Sequence, residues 1–145
     1  MSEPKVPTFF YGSYMNPAVL ADVQIFPDSF EVTRLDGYDI SITHRANLIA
    51  SDRHCVYGVL AMLTHAELAR LYEHASHVLG EIYLPHPVLT TTRDGSWRPA
   101  LCYIAPSMKP GRPDAAYVNR IVAPARQFEF PDWYIERLEA ALPVE

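Results

Sequence analysis

The stretch that most constrains the fold of this chain is Phe-Phe-Tyr-Gly-Ser-Tyr-Met at residues 9–15. Its aromatic residues and the preceding Thr8 fit a buried, pleated strand, and Gly12 allows the chain to turn sharply. Asn16 and Pro17 are residue types that favour a helix N-cap and a first helical position. We therefore predict a strand, a turn and a helix, a connection that is common in α/β chains. Where such a turn leaves N–H groups free, it can also bind an anion.

Length and composition bound the class of protein. The 145 residues predict a single domain over residues 1–145. Hydrophobic residues make up 49% and charged residues 20%, as in ordinary globular proteins, and the net charge of -5 argues against a nucleic-acid partner. Apolar runs are too short to span a bilayer and no signal peptide is recognisable, so we expect a cytoplasmic protein without a membrane partner. Cys55 and Cys102 are expected to be free thiols in strands.

The first half of the chain predicts a series of strands. Residues 30–42 alternate in polarity, and Asp-Gly within residues 35–37 predicts a bend or a hairpin. A polar turn is expected at residues 51–53. Residues 55–63 are almost continuously apolar, which indicates a strand buried on both faces. Gly58 within it predicts a bend or the close approach of another backbone.

The second half mixes helices with strands. Thr64 and Glu67 form a capping-box pattern that opens a helix ending near Ala75. Two prolines within residues 82–92 favour an edge strand or two pieces, followed by a partner strand that completes a hairpin. Two helical segments close the chain, the first with a proline that should kink or split it. The total of six or seven strands and three or four helices predicts an α+β fold, a small mixed β-barrel with flanking helices.

The sequence leaves few kinds of chemistry open. Its six histidines show no metal-site spacing, and neither a nucleophile elbow nor a phosphate-binding glycine motif occurs, so we expect no metal and no cofactor. Acid–base catalysis by a carboxylate in an aromatic pocket remains. Glu73 and Glu81 are the candidates, because an apolar wall and tyrosine hydroxyls raise the pKa of a carboxyl group. The alternative for Glu73 is a solvent-exposed helical residue.

Several motifs, taken in order, resemble one protein family. Residues 11–15 resemble the Tyr-Gly-Ser/Thr loop of the γ-glutamylcyclotransferase-like (AIG2-like) superfamily, and residues 56–60 resemble its Val-x-Gly-x-Leu strand. Leu68 to Leu71 resemble the helix that follows. Tyr103, Tyr117 and residues 131–135 continue the family order.

The resemblance implies a fold and a reaction. It implies a small mixed β-barrel with flanking helices, and a loop whose backbone holds the γ-glutamyl group of a small-molecule substrate. A Glu then acts as general acid and base while the α-amine of the substrate attacks its γ-carbonyl, giving 5-oxoproline and a released amine or amino acid. No cofactor takes part. The substrate-binding residues implied are Tyr11, Gly12, Ser13, Tyr14, Met15, Tyr83, Tyr103 and Tyr117.

This chain departs from the family at the catalytic position. The family helix continues Leu-Asp-x-x-Glu-Gly, and with Leu71 aligned to its Leu, Ala75 stands where the catalytic Glu is expected. Glu73 lies two positions early, about 200° round a helix. Either Glu73 or Glu81 supplies the carboxylate of an enzyme, or the chain is a non-catalytic module that binds a small carboxylate at the same loop. A homo-oligomer that lends a carboxylate across an interface is a third alternative.

Overall fold

Five strands form a closed ring with helices packed outside it. The computed structural model describes residues 3–143. Around the ring the order is β1, β3, β2, β4, β5, and a parallel pairing of β1 with β5 closes it, while the other neighbours are antiparallel. The strands are β1 (Lys5–Phe10), β2 (Glu31–Ile42), β3 (Ala46–Thr64), β4 (Leu84–Thr92) and β5 (Trp97–Ile104). The helices are α1 (Pro17–Asp22), α2 (His65–His74), α3 (Ala115–Gln127) and α4 (Asp132–Glu139), with a 3-10 turn at Ser13–Met15 and a π-helical segment at Ala75–Leu79.

The mixed sheet with flanking helices is confirmed, but the predicted count of six or seven strands was wrong because two interruptions lie inside strands. Gly37, at a φ of +89°, bends β2 without reversing it. Asp36 pairs with Cys55 whereas Tyr38 pairs with Ala50, so residues 51–54 bulge out of β3. The polar residues expected to form a turn therefore form this bulge, and the hairpin alternative was wrong.

Gly58 fixes how the first strand lies against β3. A Cβ atom at this position would lie 2.3 Å from the carbonyl oxygen of Phe10 and 2.6 Å from Cζ of Phe9. Real Cβ atoms do not approach that closely, so the expected close backbone approach is confirmed. Phe10 pairs with Val59 here, one residue before the chain leaves β1 for the turn at Gly12.

The capping box is present and starts α2, and this helix ends at His74, next to the predicted Ala75. The Thr64 hydroxyl accepts the N–H of Glu67, and the Glu67 carboxylate accepts the N–H of Thr64. Beyond His74 the chain continues as the π-helical segment Ala75–Leu79 and stops at Gly80, which has a φ of +76°. A left-handed residue of this kind is favoured as glycine.

The prolines of β4 and α3 are accommodated without splitting either element. Pro85 and Pro87 pair with β5, whereas β4 meets β2 through Thr91 and Thr92. The prolines thus lie in the part of β4 that has one neighbouring strand. This part of β4 is an edge, where a missing N–H donor is tolerated. Pro124 lies in the last turns of α3, which continues to Gln127.

Candidate functional site

The turn after β1 is built as predicted, with one addition. Asn16 caps α1, because its side-chain oxygen accepts the N–H of Ala18 at 3.0 Å. The 3-10 turn Ser13–Met15 lies between Gly12 and this cap, and the N–H of Met15 donates to the carbonyl of Gly12 at 3.0 Å. The start of α1 is therefore set apart from Gly12, and the N–H groups nearest to Gly12 are those of the loop itself.

Three consecutive backbone N–H groups of this loop are unpaired. Within residues 3–143, the N–H groups of Gly12, Ser13 and Tyr14 donate to no protein acceptor, and all three residues are buried. Buried backbone donors are almost always paired, so three in succession are exceptional. Grouped N–H donors of this kind can hold a carboxylate or a developing oxyanion.

Tyr103 lies at the centre of the tyrosines that surround the loop. Its hydroxyl accepts the N–H of Tyr11 at 3.4 Å, and the Tyr11 hydroxyl donates to the carbonyl oxygen of Tyr103 at 2.7 Å. The two rings stack with centroids 4.6 Å apart. Tyr14 and Tyr83 pack edge-on against the same ring, with centroids at 5.9 Å and 5.3 Å. Four of the predicted substrate-binding tyrosines therefore lie together.

The first residue of β3 joins the remaining tyrosine to this cluster. The N–H of Ala46 donates to the Tyr117 hydroxyl at 2.8 Å, and its carbonyl accepts the Tyr83 hydroxyl at 2.5 Å. A Cβ atom at Gly12 would lie 3.1 Å from Cβ of Ala46 and 3.9 Å from the Tyr117 hydroxyl. A residue larger than glycine would push against the start of β3. Gly12 therefore faces Ala46 and the tyrosine cluster. Met15 is buried in the core, as the tyrosines of the cluster are.

Burial sets the protonation state of these phenols. It raises the pKa values of Tyr11, Tyr83, Tyr103 and Tyr117 above the ordinary tyrosine value, and neighbouring phenols add to the increase at Tyr11. Burial also raises the pKa of Tyr14, whose hydroxyl lies 2.9 Å from Nδ1 of His74. These hydroxyls are neutral at physiological pH and can hold a ligand by hydrogen bonds.

The two candidate carboxylates lie in different environments. The Glu73 side chain is 71% exposed, and its ionic contact is with His77 at 4.0 Å. Glu81 is 2% exposed, and its Oε2 atom lies 2.6 Å from Nδ1 of His44 and accepts the backbone N–H of Lys109 at 3.0 Å. Glu73 therefore lies on the solvent face of α2, while Glu81 is held inside.

The π-helical segment brings the backbone of Glu81 next to that of Ala75. The carbonyl of Ala75 accepts the N–H of Gly80 and also that of Glu81, the latter at 3.1 Å. The end of α2 faces the loop, because the Tyr14 hydroxyl contacts His74 and donates to the carbonyl of Leu71 at 3.4 Å. The backbone of a residue six positions later in sequence is thus one hydrogen bond away from Ala75, and the carboxylate of that residue lies against His44 and Lys109.

Two further residues of this region, His44 and Arg45, were missed by the sequence analysis. Both lie in the turn between β2 and β3. Nε of Arg45 donates to the carbonyl of Leu79 at 3.0 Å, and its guanidinium carbon lies 4.8 Å from the ring centroid of Tyr117. Among the described residues it forms no ion pair with a carboxylate. Polar residues such as Thr-His-Arg are common in turns between strands. The sequence therefore did not indicate that His44 and Arg45 contact the end of α2.

A cavity opens beside Glu81. It has a volume of about 470 Å³, and its lining includes Gly80, Glu81, Ser107 and Lys109. Across residues 3–143, no group of three or more histidine, cysteine or acidic residues is arranged to hold a metal ion. In the same part of the chain, no helix is both long and apolar enough to cross a membrane.

Comparisons with known proteins test the resemblance. The sequence matches no protein-family model and no curated protein. Solved structures do match. A gamma-glutamyl cyclotransferase superposes with a TM-score of 0.78 at 22% identity, covering 97% of this chain and 90% of that chain. An uncharacterized protein from Homo sapiens gives 0.83 at 21% identity, covering 99% and 91%. An AIG2-like protein from Mus musculus gives 0.62 at 16% identity, covering 74% and 82%.

These superpositions cover most of each chain. They confirm the resemblance at the level of the fold. The chain therefore has the γ-glutamylcyclotransferase-like (AIG2-like) fold.

Proposed function

We propose that this protein binds a γ-glutamyl compound at the Tyr11–Gly12–Ser13 loop and cyclises it to 5-oxoproline, with release of an amine or an amino acid. The observation that carries the proposal is the run of three buried, unpaired N–H groups at Gly12, Ser13 and Tyr14. They offer donors to an oxygen that acquires negative charge during acyl transfer. The gamma-glutamyl cyclotransferase of similar fold supports the choice of reaction.

Charge complementarity supports a substrate with a free carboxylate. Arg45 lies against Tyr117 at the edge of the tyrosine cluster and forms no ion pair within residues 3–143. A guanidinium fork matches a carboxylate in a bidentate geometry, and the tyrosine hydroxyls supply neutral partners. A γ-glutamyl group carries both a carboxylate and the reacting carbonyl, so the loop and Arg45 suit opposite ends of it.

The reaction needs little from the protein beyond folding the substrate and moving protons. The nucleophile is the α-amine of the substrate, so holding a bent conformation makes the attack intramolecular. One proton leaves the attacking nitrogen and one reaches the departing nitrogen, which a positioned acid–base group accelerates. We assign this task to the Glu81 side of the site, because Glu81 is buried beside Ala75 whereas Glu73 is exposed.

The second candidate is a non-catalytic module that binds a small carboxylate at the same loop. It is favoured by Ala75, which leaves the usual carboxylate position of the resembled family without an acid. In this case the loop and Arg45 hold a ligand, and Glu81 serves as a structural link to His44. The two functions differ in turnover and share the binding groups.

An assay for 5-oxoproline release from a panel of γ-glutamyl amines and peptides separates the two functions. We expect release by the wild-type protein, a loss of about 100-fold or more in kcat in Glu81→Gln, and no loss in Glu73→Gln. Both variants remove one negative charge, so Glu73→Gln is a matched control. Absence of release from every substrate, together with release in Ala75→Glu, would contradict the enzymatic proposal and favour the binding module.

A further inference from the structure

We propose that the imidazole of His44 is the group that transfers protons in this site, and that Glu81 is the positioning residue that orients it. The inference rests on the proposed cyclisation and assigns its acid–base step. Exposure separates the two side chains: the His44 side chain is 30% exposed, whereas that of Glu81 is 2% exposed. The imidazole is therefore open to a ligand from solvent, whereas the carboxylate is buried.

The hydrogen bonds at Glu81 fix the tautomer of the imidazole. An ionised carboxylate only accepts hydrogen bonds, and its Oε2 atom already accepts the N–H of Lys109 at 3.0 Å. With an ionised carboxylate, the contact of 2.6 Å with His44 requires a proton on Nδ1. In neutral histidine the lone pair then lies on Nε2, which is the tautomer that a carboxylate partner selects in acid–base catalysis.

The turn that carries His44 is held on three sides. Glu81 binds the imidazole, and the carbonyl of Leu79 accepts Nε of Arg45 at 3.0 Å. Ala46 is bound through its N–H by Tyr117 and through its carbonyl by Tyr83. Its Cβ also lies next to Gly12. His44 is thus fixed two residues from Ala46, which lies against the loop.

The imidazole of His44 lies next to Gly80 at the end of the π-helical segment. An ideal Cβ atom at Gly80 would lie 3.7 Å from Cε1 of His44 and 3.8 Å from Nζ of Lys109. Gly80 has a left-handed φ of +76°, and the next residue, Glu81, contacts Nδ1 of His44. Gly80, Glu81 and Lys109 also line the cavity of about 470 Å³.

In the proposed reaction, His44 moves one proton from the attacking nitrogen to the leaving nitrogen. The neutral α-amine attacks the γ-carbonyl carbon, a C–N bond forms, and the carbonyl electrons move to the oxygen held by the loop. Nε2 of His44 takes one proton from the attacking nitrogen. The imidazolium, stabilised by Glu81, then gives that proton to the leaving nitrogen as the oxygen electrons re-form the carbonyl and the original C–N bond breaks. The products are 5-oxoproline and a neutral amine.

Chemical rescue tests the assignment. In His44→Ala we expect kcat for 5-oxoproline release to fall about 100-fold or more with KM nearly unchanged, since binding groups remain. Free imidazole should restore part of kcat in a saturable manner. Free 1,2,4-triazole, which has the same shape and is a much weaker base, should not. His54→Ala is the control, because His54 lies on the β3 bulge and contacts Ser51.

A double variant tests the positioning role of Glu81. If Glu81 acts through His44, Glu81→Gln lowers kcat in the wild-type background and causes no further loss in His44→Ala. Wild-type kcat in His44→Ala would overturn the inference alone and leave the proposed function standing. Rescue by triazole equal to that by imidazole would also overturn it, since filling the space would then suffice. A wild-type protein that releases no 5-oxoproline would overturn the proposed function together with this inference.

Discussion

Arg45 is the residue whose charge most directly defines the ligand that we propose. Its guanidinium lies 4.8 Å from the Tyr117 ring centroid. Its positive charge lowers the pKa values of Tyr14, Tyr83 and Tyr117, each against a larger increase caused by burial. The cation therefore lies close enough to influence three phenols of the cluster, and a bound carboxylate would supply its counter-charge.

We predict that Arg45→Gln weakens binding of 5-oxoproline roughly tenfold or more, because a hydrogen bond to a charged group contributes about 1.5 to 3 kcal/mol. Arg45→Lys should retain part of the affinity, since it keeps the charge and loses the bidentate fork. Isothermal titration measures the Kd of each variant.

Arg53→Gln is the matched control for this measurement, because Arg53 is exposed on the β3 bulge. Equal Kd values for wild type and Arg45→Gln would show that Arg45 does not contact the carboxylate.

Among individual residues, the sequence identified as candidates those that belong to a recognisable motif. The loop residues and Tyr103 were found through the resemblance, and they lie together. His44 and Arg45 were missed, because a turn residue acquires its role from the segment against which the turn folds. Here that segment is the end of α2, which is remote in sequence.

Among the elements, the π-helical segment Ala75–Leu79 explains why aligning the helix by sequence alone was insufficient. The alignment placed Ala75 at the catalytic position on the assumption of an uninterrupted α-helix. The wider turn returns the chain, so that Glu81 donates its N–H to the carbonyl of Ala75. Local insertions of this type are frequent at functional sites, and residue spacing in the sequence does not reveal them.

The hairpin between β4 and β5 gives a prediction at the same scale. The Thr92 hydroxyl and the Ser96 N–H donate to the Asp94 carboxylate, and the Thr92 hydroxyl bond is the larger cause that lowers the pKa of Asp94 from 3.8 to about 2. Because the folded state depresses this pKa, the hydrogen bonds stabilise the fold above pH 3.8. This stabilisation is lost as the pH falls from 3.8 towards 2.

Removing the hydroxyl should flatten this dependence. We expect Thr92→Val to lower the thermal unfolding midpoint at neutral pH. The further decrease of this midpoint between pH 4 and pH 2 should be smaller than in the wild type, because the pKa of Asp94 then differs less between the folded and unfolded states. Differential scanning calorimetry across this range measures both effects. A decrease as steep as that of the wild type would contradict the assigned cause.

For the whole molecule, the sequence predicted the class of fold and missed how the sheet closes. Alternating and continuous apolar segments identified the strands, and Gly58 correctly indicated a close backbone approach. The bulge at residues 51–54 was interpreted as a turn, because polar residues in a bulge and in a turn have the same composition. Pairing of β1 with β5 depends on contacts between distant segments, which periodicity does not encode.

The ring places the loop, the end of α2 and the β2–β3 turn at one site. β1 delivers the loop, and the β2–β3 turn delivers His44 and Arg45, which bind Glu81 and Leu79. Both proposed functions, catalytic and binding, require a ligand at the N–H groups of Gly12, Ser13 and Tyr14. That requirement is the central claim.

Titration of uniformly ¹⁵N-labelled protein with 5-oxoproline tests it most directly. We predict that the amide resonances of Gly12, Ser13 and Tyr14 shift downfield and saturate together, because each N–H acquires an acceptor on binding. Amides of the β3 bulge, such as that of Asp52, serve as internal references and should not move. Unchanged loop amides at saturating ligand, or shifts confined to other parts of the chain, would contradict the account.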